Sequence, residues 1–165
     1  MTSPLPKQSL VGSALVALGT LAVPMLPLRA QRLSVVEASG GVAIAVARHT
    51  MVGVEVGAGY RPGGQSRVAV AVDVGTEEGR AAGRAQLTAQ FLVTPAARRG
   101  AGLYGGIGVA VAGRRGTPGR GYLALLLGLE AAPGGGARRG GWYAELGLAG
   151  GARVAAGWRG RWTRS

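Results

Sequence analysis

The chain has 165 residues, 32 of them glycine and only 16% charged, yet it carries a net charge of +12 and a positive mean hydropathy of +0.24. One domain's worth of length with this composition is unusual for a water-soluble protein, and the lack of cysteine excludes disulfide staples, thiolate metal sites, a cysteine nucleophile and a lipidated cysteine anchor. Nucleic acid is not the expected partner, because the arginines sit in Gly/Pro segments such as Arg98-Arg99, Arg114-Arg115 and Arg138-Arg139, without a recognition helix, zinc spacing or aromatic-basic stripe. Anionic lipid headgroups match this distribution better.

Residues 1–30 have the three parts of a secretory signal peptide. Lys7 supplies the positive start, Leu10 to Leu26 is mostly apolar, and Pro27-Leu28-Arg29-Ala30 ends on a small residue. Pro24 and Pro27, with Ser13 and Thr20, argue against a transmembrane helix over the same stretch. Cleavage after Ala30 leaves residues 31–165 as the mature domain.

Beyond Gln31 the apolar period is two rather than 3.6. Eight runs follow one another: 41–48, 51–60, 66–75, 81–93, 102–113, 120–131, 141–149 and 152–162. Residues 32–38 extend the first run or form a short ninth strand. Each link between runs is short and rich in glycine, proline or arginine, which predicts an all-β meander of antiparallel neighbours.

Each run has an aliphatic face and a polar one. The first carries Val52, Val54 and Val56, then Val68 to Val74 at alternate positions, Ile107 to Val111 likewise, and Leu123, Leu125, Leu127 and Leu129. The second carries Glu55, Asp73, Arg84, Glu130, Glu145, Arg153, Arg159 and Arg161, while Glu37, Glu77 and Glu78 are placed off the strand centres. A soluble barrel would turn the aliphatic face inward; a membrane barrel reverses it.

Three features favour the membrane arrangement. Gly106, Gly108, Ala110, Ala112, Gly147 and Gly157 on the polar face suit a narrow interior that needs small residues beside large ones. The acids and arginines have partners within reach: the turn at 76–80 sets Asp73 nearly opposite Arg84, and the turn at 150–151 brings Glu145 near the strand of Arg153 and Arg159. Finally, Tyr60, Phe91, Trp142, Trp158 and Trp162 fall on the aliphatic face at one rim, the place of an interfacial aromatic girdle, while Tyr104, Tyr122 and Tyr143 point into the lumen. The expected architecture is an eight-stranded antiparallel up-and-down transmembrane β-barrel.

This pattern resembles the small eight-stranded outer-membrane barrels of Gram-negative bacteria, of the outer-membrane protein A type. The segment Arg153-Val154-Ala155-Ala156-Gly157-Trp158-Arg159-Gly160-Arg161-Trp162 is similar to their alternating, aromatic-ended last strand, although Thr163-Arg164-Ser165 follow where that family usually stops. The resemblance implies an outer-membrane location, lipid and lipopolysaccharide as surroundings, reading of the last strand by the barrel-insertion machinery, a monomer, and both termini on the periplasmic side. The outer loops would then be His49-Thr50, Thr76–Arg80, Arg114–Gly119 and Gly150-Gly151, too short for an adhesin or receptor. No functional residue carries over.

Chemistry is hard to assemble from what remains. His49 is the single histidine, and a loop position beside Glu77 and Glu78 invites a test for catalysis. Ser39, Ser66 and Ser165 do not share that rim, so nucleophile, base and orienting group are not brought together. One histidine and no cysteine leave no expected metal or cofactor site. The stretch Gly102 to Gly108 lacks the helix and the Lys-Ser/Thr of a phosphate loop, and its glycines read as packing positions. The sequence therefore predicts a non-enzymatic barrel with a side-chain-filled lumen; a narrow channel and a secreted or periplasmic soluble ligand-binding barrel are the alternatives.

Overall fold

The computed structural model describes residues 34–134 and 140–164. The signal peptide expected over residues 1–30 lies outside them. Eight strands follow in order: β1 (Ser34–Val46), β2 (Thr50–Arg61), β3 (Ser66–Glu77), β4 (Arg80–Leu92), β5 (Ala101–Arg114), β6 (Arg120–Ala131), β7 (Gly140–Leu148) and β8 (Ala152–Arg164). Every neighbour in sequence is a neighbour in space, and all pairs are antiparallel. The ring closes between β1 and β8, where Val36 faces Trp162 and Ile44 faces Val154. No strand edge is left open for pairing with another chain.

The strand bounds agree with the alternating runs to within two residues, and at both ends of β6 without difference, except at the start of β1. Residues 34–38 extend β1 rather than forming a ninth strand. Ser39-Gly40-Gly41 carry little apolar signal, so the alternation starts only at residue 41; in the structure the pairing with β2 and β8 passes straight through them. Strands of 9 to 14 residues suit the roughly 9–11 that a tilted strand needs to cross a bilayer.

Links lie at two rims. The β3–β4 connection is a two-residue hairpin turn in which Glu78 (φ 51°) and Gly79 (φ 74°) both adopt the left-handed region, as a type I′ turn requires. This rim also holds the β1–β2, β5–β6 and β7–β8 links. The opposite rim holds both strand termini of the barrel and the longer β4–β5 and β6–β7 links, which are tied together by Gly134 N–H donating to the Ala97 carbonyl at 2.9 Å.

Side-chain direction follows the two-residue period without interruption. Val54, Val74, Leu125, Leu127, Ile107 and Leu146 face outward and are 46–60% exposed. The largest fully buried side chains include Arg67, Arg153, Tyr104, Tyr143, Glu37 and Glu130. In water, a belt of outward valine and leucine around a whole barrel would exceed by far the apolar patch a soluble surface tolerates. Hydrocarbon is the solvent that fits it. The soluble-barrel alternative required the stripes to meet at the centre, and they do not.

Candidate functional site

Among the described residues, the largest convergence of chemistry-bearing side chains is in the lumen. Five carboxylates (Glu37, Glu55, Asp73, Glu130, Glu145) and six arginines (Arg61, Arg67, Arg84, Arg153, Arg159, Arg161) are at least nine-tenths buried there. Odd-numbered positions of β1, β2, β3 and β8 and even-numbered positions of β4, β5 and β6 point inward, which is why acids and bases from facing walls meet.

The middle layer is organised around Arg153 of β8. Glu55 and Asp73 are direct cross-strand partners on β2 and β3, so two carboxylates stand side by side. Like charges so placed repel. Arg153 reaches them from another wall: it is ion-paired with Glu55, grips Asp73 through Nε at 3.1 Å and Nη2 at 3.3 Å, and has Nη1 3.5 Å from Glu145 Oε2. Tyr143 donates its hydroxyl to Glu55 at 2.7 Å, and Tyr104 donates to Glu145 at 2.7 Å. Gly128, the Cα partner of Tyr104, leaves space for that ring; any β-carbon there would collide with it.

A second layer lies nearer the rim of the termini. Glu130 Oε2 accepts from Arg67 Nη1 at 2.8 Å and Arg159 Nη1 at 2.5 Å, with Arg161 Nη2 at 3.2 Å. Glu37 takes Arg67 Nη1 at 2.8 Å and sits 3.5 Å from both Arg61 and Arg161. Arg67 also donates to Gln90 at 2.7 Å, and Gln90 donates to Thr88 at 2.9 Å. The Arg159 guanidinium lies over the rings of Tyr143 (4.7 Å) and Tyr104 (5.4 Å), and that of Arg67 over Tyr104 (4.5 Å). Arg61 and Arg161 donate to the carbonyls of Pro133 and Ala131, sealing this end against the β6–β7 link.

The structure changes the membership and the pairing read from the sequence. Glu37, off the centre of β1 as expected, nevertheless lies within the strand, because β1 begins at Ser34; it points into the lumen and is 2% exposed. Arg61, read as a turn residue, closes β2 and turns inward. Arg67 joins the set as well, 1% exposed; its place on the face opposite to Val68 is the sequence signal that points to it. Asp73 and Arg84 do stand opposite each other, but the Asp73 carboxylate pairs with Arg153 and Arg84 makes only a 3.3 Å hydrogen bond to the Ala149 carbonyl. Tyr104 and Tyr143 are fully buried, whereas Tyr122 is half-buried near the other mouth.

The outer face and the loop rim complete the picture. Tyr60, Phe91, Trp142, Trp158 and Trp162 all project outward, 45–61% exposed; Tyr60, Phe91 and Trp162 stand near the strand ends at the rim of the termini, Trp142 near the start of β7, and its cross-strand partner Trp158 at the middle of β8, opposite Gly40. At the other rim His49 Nδ1 lies 2.6 Å from Glu78, and Arg114 bridges Glu77 and Glu78. Ser39 is inside the barrel facing Gly57, and Ser66 begins β3 at the far rim, so neither stands beside His49. The described residues contain no group of three side chains able to hold a metal ion.

No protein-family model matches the chain, and no curated protein matches it in sequence. Solved structures do match in shape. The outer membrane protein OprG of Pseudomonas aeruginosa aligns with a TM-score of 0.62 at 9% identity, covering 81% of this chain and 98% of that one. The N-terminal β-barrel domain of OprF from the same organism gives 0.58 at 16% identity, covering 79% and 98%. Neisserial surface protein A gives 0.51 at 16% identity, covering 77% and 96%. With a closed eight-stranded meander, an apolar exterior and a charged interior already in place, the chain is a transmembrane barrel of the outer-membrane fold.

Proposed function

We propose that the protein is a monomeric outer-membrane barrel with a structural, envelope-stabilising role, a sealed lumen and no catalytic activity. The observation that carries this reading is the double ion layer. It spans the interior from wall to wall, and the cavity between Glu37, Arg67, Glu145 and Arg159 measures about 20 Å³. Eight strands enclose an interior that side chains can fill. The partly exposed His49–Glu78 pair has neither Ser39 nor Ser66 beside it, which supports a rim ion pair over the base of a serine nucleophile.

The aromatic set from Tyr60 to Trp162 serves in this proposal as the interfacial girdle, in contact with the surrounding lipid. The outward Val154, Trp158 and Trp162 of β8 offer the insertion machinery an apolar, aromatic-ended strand. Planar-bilayer recording of the refolded protein is the direct test. A silent bilayer is expected; steady single-channel currents would replace the sealed-lumen reading with the narrow channel. Recovery of the protein in a detergent-free wash of fractionated cells would remove the membrane assignment itself.

A further inference from the structure

The sequence contains seven acidic residues, all within the described segments. Glu77 and Glu78 are engaged with Arg114 and His49 at the loop rim. The five in the lumen pair with Arg61, Arg67, Arg153, Arg159 and Arg161. Arg84 alone among the six buried arginines has no carboxylate within 4 Å. It is 6% exposed, and its Nε has no hydrogen-bond partner. Its cross-strand neighbour Asp73 is gripped by Arg153, so the buried Arg84 guanidinium has a carboxylate nearby but no direct ion pair, and an anion entering from outside would supply one.

The space for one adjoins it. Arg84 borders a vestibule of about 290 Å³ that opens at the rim away from the termini. The vestibule walls are otherwise mostly small residues, with Arg48, Arg114 and Arg120 higher up and Tyr122 at the side. Arg48 and Arg120 have no ion-pair partner among the described residues, and Glu77 is the single carboxylate in the lining. With Arg114 engaged by Glu77 and Glu78, the three arginines without an ion pair, Arg48, Arg84 and Arg120, favour a compact, multiply charged oxyanion, which a guanidinium grips through paired N–H donors. The volume lies at the small end of ligand cavities, the size of a phosphorylated monosaccharide or headgroup rather than a larger molecule.

We propose that this vestibule binds a phosphate monoester, with Arg84 as the deep contact and Arg48 and Arg120 as the outer ones. The phosphate belongs either to a small soluble sugar phosphate or to the phosphorylated glycolipid of the surrounding leaflet. This goes beyond a purely structural role and does not depend on it, because a sealed barrel and a loop-rim ligand site are compatible.

The test uses the full mature barrel refolded in zwitterionic detergent, titrated with glucose 1-phosphate while NMR follows the Arg84 Nε–H and Gly150 amide resonances. Saturable shifts at both are expected, weakened roughly tenfold or more in Arg84→Gln and less in Arg84→Lys, which keeps the charge. Without ligand, Arg84→Gln should resist denaturant as well as or better than the parent, since it removes a buried charge that has no direct ion pair; a clear loss of stability would mean that Arg84 is structurally satisfied and would count against the site. Repeating the titration in nanodiscs with and without lipopolysaccharide separates the sources: a lower apparent affinity with lipopolysaccharide identifies the lipid phosphate as occupant, and an unchanged one identifies the soluble ester. The proposal is overturned if no saturable shift occurs, or if the Arg84→Gln barrel binds glucose 1-phosphate as tightly as the parent.

Discussion

The two halves of the lumen are built from the same alternation and end in different states. Towards the termini, Glu37 and Glu130 are wrapped by Arg61, Arg67, Arg159 and Arg161, and almost no space remains. Towards the loop rim, the inward positions are largely alanine and glycine, Arg84 stands without a direct ion pair, and a cavity of about 290 Å³ opens. The difference is one of supply. In the closed half each wall delivers a partner to the axis, so the desolvation cost of burying an ion is offset by several contacts. In the open half the nearest acid, Asp73, is drawn inward by Arg153.

The comparison can be broken most severely at Arg153. Replacing it with alanine leaves Glu55, Asp73 and Glu145 close together and buried, and should cost about 3–5 kcal/mol of stability. Urea unfolding in detergent, followed by loss of heat-modifiable mobility on gels, measures this; an unchanged midpoint would mean that the layer does not hold the lumen together. A test of the opposite face comes next. Leu125→Arg places a cation on the outward face of β6, where about 2–4 kcal/mol is expected if the site lies at the bilayer midplane. A neutral result in a folded, lipid-inserted sample would contradict the hydrocarbon-facing belt.

Smaller effects sharpen the contrast. Gly128→Val should displace the Tyr104 ring and weaken its hydrogen bond to Glu145, costing about 1–3 kcal/mol, readable as a shifted Tyr104 ring resonance and a lower unfolding midpoint. At the loop rim, His49→Ala removes a partly exposed pair with Glu78 and should change stability by less than about 1 kcal/mol in the same unfolding assay. A loss as large as that of Arg153→Ala would reverse the ranking of the two halves.

Much of this is legible in the sequence. The alternation from Val52 to Trp162 determined strand number, the face of every valine and leucine, and the short antiparallel links, because a strand offers each residue only two directions and a mixed sequence pays heavily for the wrong one. It also separated Glu55, Asp73, Glu130, Glu145, Arg153 and Arg159 from the aliphatic face. Glu37 was hidden because the glycines after Ser39 mask the start of β1, and Arg61 because a strand's last residue looks like a turn. What only the tertiary structure decided is the pairing. Local register places Asp73 beside Arg84, yet closure of β8 onto β1 carries Arg153 across the lumen to Glu55 and Asp73. Contacts between facing walls depend on the closed ring and on arginine's reach, and neither is written in the spacing of neighbours along the chain.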